Sequence, residues 1–171
     1  CIVNHSCYFG ATNNNYTEFD KLDKHRVCGI KLFMGSSTGN MLVDKMNSLL
    51  NIFNGTDMLI AAHCEDQETI KNNIEKYKQK YKGADDIPVS AHPSIRSVPA
   101  CYASSELAVR LAKIAGARLH ILHVSTAKEL QLFSDEPLAN KNITAEACVA
   151  HLLFTLTHYN SLGARIKCNP A

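Results

Sequence analysis

No apolar run in this sequence approaches the roughly 20 residues of a membrane-spanning helix. An excess of one charge is missing too: 18 Lys and Arg face 16 Asp and Glu for a net +2, spread along the chain. No basic face therefore suggests a nucleic-acid partner. The seven cysteines form no C-x-x-C pair and are odd in number, which no closed disulfide framework fits. Their apolar surroundings suit small core residues in a reducing, cytoplasmic compartment. Internal repeats, low-complexity tracts and linkers are also absent. Four N-x-[ST] triplets, from Asn4, Asn15, Asn54 and Asn142, are what an Asn-rich chain produces by chance. Neither an initiator Met nor a leader precedes Cys1, and Ala171 follows directly on Asn169-Pro170, so both ends are expected to be cuts in something longer.

What is present is an ordinary globular composition, 46% hydrophobic and 20% charged over 171 residues, enough for one core and one domain or part of one. Strands are expected over residues 2–10, 27–34, 58–62, 118–122, 142–147 and 164–168, from short apolar or β-branched runs closed by turn residues. Helical spacing predicts helices over 16–24, 40–53 (ended by Gly55), 67–82 (closed by Gly83), 97–115 (ended by Gly116) and 126–133. Residues 85–93 read as loop and 148–157 as a mostly apolar stretch. Strand and helix alternate, which predicts parallel β/α units.

Three residues share one place in their units. Lys31 lies toward the carboxyl end of the run VCGIKLFMG, while His63 and His123 follow directly on MLIAA and RLHIL. In a parallel barrel or open parallel sheet that edge is where active sites are built. Two neutral imidazoles suit Zn, and a lysine carbamate would bridge two metals, a state that the uncharged amine of a desolvated lysine can reach. Each residue also has a plainer reading: a snorkelling or ion-paired lysine, and ordinary hydrogen-bonded histidines. Other groups have only plain readings. Glu65-Asp66 reads as helix-starting charge and Lys128-Glu129 as a solvated face. His120, three before His123, is expected on the opposite strand face, packed outside the barrel. His5, His25, His92 and His158 show no usable pattern. In Gly35-Ser36-Ser37-Thr38-Gly39 a serine stands where a phosphate-binding loop needs its lysine.

The strings GIKLFMGSSTG, AAHCEDQ, LHILHVSTAKEL, ITAEACVAHLLFT and ARIKCNPA, in this order and spacing, resemble the central part of the dihydroorotases, in the amidohydrolase superfamily with the hydantoinases and allantoinase. The resemblance covers essentially the whole chain. It implies a (β/α)8 barrel with residues 1–171 as part of its single catalytic domain, supplying units three to seven, the rest coming from the same polypeptide. It further implies a binuclear zinc centre of two Zn2+ in which Lys31 is the carboxylated bridging ligand and His63 and His123 hold the second metal. Asn169 then matches a position that contacts the substrate ring.

The departures are equally specific. The H-x-H of the family's first strand is nowhere in the sequence, nor is the arginine just after it, nor the general-base Asp of the eighth strand, so no catalytic base is expected within this chain. The implied reaction is reversible hydrolysis of the cyclic amide of dihydroorotate to N-carbamoyl-aspartate, in pyrimidine synthesis, on a small-molecule substrate. A homodimer is compatible with this. The alternatives are a hydantoinase (dihydropyrimidinase) or allantoinase, and, from another class, a non-catalytic barrel homologue acting as scaffold.

Overall fold

The computed structural model of the chain describes residues 2–35, 39–83, 85 and 87–171. Cys1, Asp86 of the 85–93 loop and the Ser36–Thr38 part of the Gly/Ser/Thr loop lie outside the described residues. Five parallel strands run in sequence order across one sheet: β1 Cys7–Gly10, β2 Val27–Phe33, β3 Ile60–His63, β4 Leu119–Ile121 and β5 Ile143–Ala145. Between them lie α1 Met46–Asn54, α2 Gln67–Lys80, α3 His92–Ile95 and α4 Val98–Ala115, and after β5 come α5 Val149–Leu153 and α6 Tyr159–Leu162.

A parallel crossover usually returns the chain to the same sheet edge through a helix, as after β2 and β3, and the sequence supplies the stops. Asp66 caps α2 by accepting the Thr69 N–H at 2.8 Å. Ser97 and Pro99 open α4, and Gly116, at φ +65, closes it in the left-handed conformation that glycine adopts without strain.

Alternation along the strands divides the sheet into two faces. Ile30, Leu32, Ile60, Leu119 and Ile121 are all buried and join Leu49, Ile52 and Phe53 of α1 and Ala108, Leu111 and Ala112 of α4 in one apolar cluster. Burying each such large side chain contributes roughly 1.5–3 kcal/mol. The opposite face carries the alternating residues, and the register sets them in rows. Gly10, Lys31, Ala61, His120 and Thr144 lie side by side across the strands, with Phe33 beside His63 two residues further on.

Several elements differ from the sequence expectations. Residues 164–168 form no strand; Gly163–Ile166 is a 3-10 turn that follows directly on α6, since no local composition supplies the neighbouring strand that pairing requires. The expected first helix and the one after β4 are 3-10 segments, Tyr16–Lys21 and Ala127–Leu132. The helix expected from residue 40 begins at Met46, since Leu42 instead pairs with Phe33 as a short extension of the sheet. Residues 89–93 of the expected loop are helical, in turns that run on to Ile95. Of the cysteines, Cys64 and Cys101 are buried core residues, whereas Cys7, Cys28 and Cys148 are exposed.

Candidate metal centre

Lys31 stands on the face opposite the apolar cluster because its neighbours Ile30 and Leu32 are committed to the helices. It is half-buried, and its Nζ lies 4.1 Å from the centroid of the Phe33 ring. Burial pulls its pKa down to about 8, with Cys64 and Glu146 acting weakly in the other direction. The ammonium is thus destabilised and the neutral amine brought within reach of neutral pH.

His63 closes β3 beside Phe33 and is buried. Its Nε2 lies 2.8 Å from Glu65 Oε2, and the same oxygen pairs with Arg96 at the end of α3. Glu65 is fully buried. Burial pushes its pKa up, but the hydrogen bond from His63 and the Arg96 charge outweigh this and hold it below the usual carboxylate value. An ionised carboxylate only accepts hydrogen bonds, so His63 Nε2 donates to Glu65 and its Nδ1 points away from it. That Nδ1 lies 3.0 Å from Nε2 of His123, with the ring planes at 74°.

His123 reaches this position through a break in strand regularity. The Glu146 N–H donates to Ile121 O at 3.0 Å, but Glu146 O accepts from the N–H of Val124 (2.7 Å), one residue further than a regular parallel ladder allows. The extra residue is His123, at φ +42. A bulge of this kind re-aims a side chain, and here it turns His123 onto the face that carries Lys31 and His63. Its pKa is lowered to about 4, first by burial, then by the charges of His63 and Lys31, which keeps the imidazole neutral. Its Nδ1 is buried without a hydrogen-bond partner.

The bulge also corrects the placement of His120. Period two does not run through His123, so His120 shares the inner-face row of Lys31 instead of packing outside. Its nitrogens lie 2.8 Å from Thr144 Oγ1 and 3.2 Å from Glu146 Oε2. Glu65 is likewise no helix-starting charge, a task left to Asp66, and Glu129 is no solvated residue but 2% exposed. The H-x-E spacing of His63 and Glu65 places both on one strand face and was the available signal; nothing in the sequence marks Arg96. Asn169 is exposed and stands apart from the imidazole pair, on a segment held on either side. His92 Nε2 donates to Cys168 O (2.7 Å) and His151 Nε2 to Pro170 O (3.1 Å). Beside it opens a cleft of about 530 Å³, walled by Arg96, Ser125, Thr126, His151, Phe154 and Tyr159.

The donor set fits a metal. Two imidazoles direct nitrogens into one space, and one of them is anchored behind by a carboxylate as metal-bound histidines usually are. Among the described residues no three His, Cys, Asp or Glu side chains form a metal cluster.

No model of a protein family matches the chain. A dihydroorotase of Methanosphaera stadtmanae is 27% identical over 177 residues, covering 94% of this chain and 38% of that protein. An allantoinase of Escherichia coli is 25% identical over 173 residues, covering 94% of this chain and 36% of its own length. The chain therefore spans a little over a third of these relatives. Among solved structures, the L-hydantoinase (dihydropyrimidinase) from Arthrobacter aurescens superposes with a TM-score of 0.86 at 23% identity, over 98% of this chain and 37% of that one. In sequence the chain is similar to a dihydroorotase and an allantoinase over nearly its whole length, and its fold is part of a parallel (β/α)8 barrel like that of the hydantoinases.

Proposed function

We propose that the chain contributes Lys31, His63 and His123 to a binuclear zinc centre that hydrolyses a cyclic amide, with dihydroorotate and N-carbamoyl-aspartate as the substrate pair, in the cytoplasm. The observation that carries the proposal is the convergence of His63 Nδ1 and His123 Nε2, 3.0 Å apart, on the sheet face of a lysine whose pKa is about 8. In this scheme the neutral Lys31 amine adds to CO2 and releases one proton, leaving a carbamate whose two oxygens can bridge. Glu65 keeps the proton of His63 on Nε2, so Nδ1 stays free to ligate. Burial keeps His123 unprotonated. When bound, the metals would lower the pKa of a bridging water and polarise the ring carbonyl. Asn169, on its tethered segment, would contact the ring.

Allantoin and hydantoin are the competing substrates, favoured by the allantoinase and hydantoinase likenesses over the same residues. Assay of all three cyclic amides with the intact protein separates them, and turnover of none favours a scaffold role. Lys31→Ala is expected to abolish metal uptake and turnover, together with the mass gain of one CO2 on the peptide containing residue 31. Near-normal zinc content in that variant would defeat the carbamate assignment.

A further inference from the structure

The segment that follows His123 holds a second buried carboxylate. Glu129 is 2% exposed, and two hydroxyls donate to it: Ser105 Oγ from α4 to Oε1 at 2.6 Å, and Thr126 Oγ1 from the loop after β4 to Oε2 at 2.7 Å. Thr126-x-x-Glu129 has the spacing of a helix capping box, in which the glutamate would reach back to the Thr126 backbone N–H. Here the carboxylate turns away and bridges the loop to the neighbouring helix. Thr126 still caps, accepting the Glu129 N–H at 3.4 Å, so the helix start does not require the buried charge.

Its surroundings show what the charge is placed against. The thiol of Cys101, on α4, is pushed up to about 12, chiefly by burial and next by the negative charge of Glu129. Glu129 thus stands between the middle of α4 and the loop that begins with His123. A left-handed histidine persists only where its surroundings over-determine it. One restraint on the His123 bulge is the Val124 N–H to Glu146 O bond, and the Ser105–Glu129–Thr126 bridge is a second, three to six residues downstream.

We propose that Glu129 is a positioning residue for the metal centre: by fastening the loop after β4 to α4 it fixes the bulge that aims His123 Nε2 at His63 Nδ1. The inference rests on the assignment of the two histidines as metal ligands. It assigns no contact between Glu129 and metal or substrate.

The test uses the intact protein loaded with Co2+, whose visible absorption reports ligand geometry without any turnover. Wild type is expected to show a ligand-field band that His63→Ala and His123→Ala each abolish. In Glu129→Gln, which keeps the shape but loses the charge, the band should shift and Co2+ affinity fall by about tenfold or more. Ser105→Ala, which leaves the carboxylate in place, should show the same change in smaller degree. An unaltered band and affinity in a folded Glu129→Gln overturn the proposal; should that variant fail to fold, the Ser105→Ala spectrum decides in the same way. A wild-type protein without a histidine-dependent band overturns the metal-centre assignment itself.

Discussion

At the scale of single residues, the two histidines depend on different neighbours. For His63 the decisive one is Glu65, which combines complete burial with hydrogen bonds from His63 and Arg96. Glu65→Gln keeps the volume but removes the charge that fixes the proton on Nε2. Metal affinity should then fall about 10–100-fold with the fold retained by circular dichroism; unchanged affinity in a chelator competition would show that Glu65 serves only stability. For His123 the decisive factor is burial, which lowers its pKa from 6.5 to about 4. Between these values the unfolded chain binds more protons than the folded one, so stability is lost as pH falls from about 6.5 and the loss is complete near pH 4. His123→Asn should lessen the drop in urea midpoint between pH 7 and pH 4, and an equal drop in both proteins would contradict the assignment. That Lys31, His63 and His123 lie toward the carboxyl ends of their strands was legible in sequence, because apolar runs mark those strands. Glu65 could have been found from period two alone, whereas Arg96 could not, since its approach depends on the packing of α3.

At the scale of elements, regular pattern was legible and interruption was not. β2, α2 and α4 emerge within a residue or two of their expected bounds because apolar runs, caps and terminal glycines agree. The bulge at His123 leaves no trace in composition, and it decides which face both His120 and His123 occupy. The run at residues 164–168 has strand-like composition, but pairing is a tertiary property that no local pattern supplies. One close approach at the mouth of the sheet gives a direct test. A Cβ on Gly35 would come within 1.9 Å of Glu65 O and 2.9 Å of Glu65 N, so the chain leaving β2 passes against the backbone of the residue that anchors His63. Gly35→Ala must push the ends of β2 and β3 apart. It should cost on the order of 1–3 kcal/mol in denaturant unfolding and weaken metal binding at the same time. A stable variant with normal metal content would mean that the two strand ends move independently of the site.

At the scale of the whole molecule, the five-stranded sheet has two edges, β1 and β5, whose outer backbone groups find no partner strand among the described residues. A closed barrel removes such edges, whereas an open one is a template for pairing with other chains. The β5 side is also the apolar one: Val149 and Leu152 are each 77% exposed, Leu153 61% and Leu156 67%. The five units span 37% of the hydantoinase chain they superpose on, and in a closed barrel further units would cover this side. Taken alone, the 171 residues should therefore associate with rising concentration, by edge pairing and by contact through the α5 surface. Light scattering of the isolated segment is expected to show oligomers at micromolar concentration. Leu152→Lys together with Leu156→Lys, which charges that surface without touching Lys31, His63 or His123, should shift the population toward monomer. A wild-type segment that remains monomeric and unfolds in a single cooperative urea transition would instead show that the helix-packed outer face, with Ile30, Leu32, Ile60, Leu119 and Ile121 at its centre, sustains the sheet without closure.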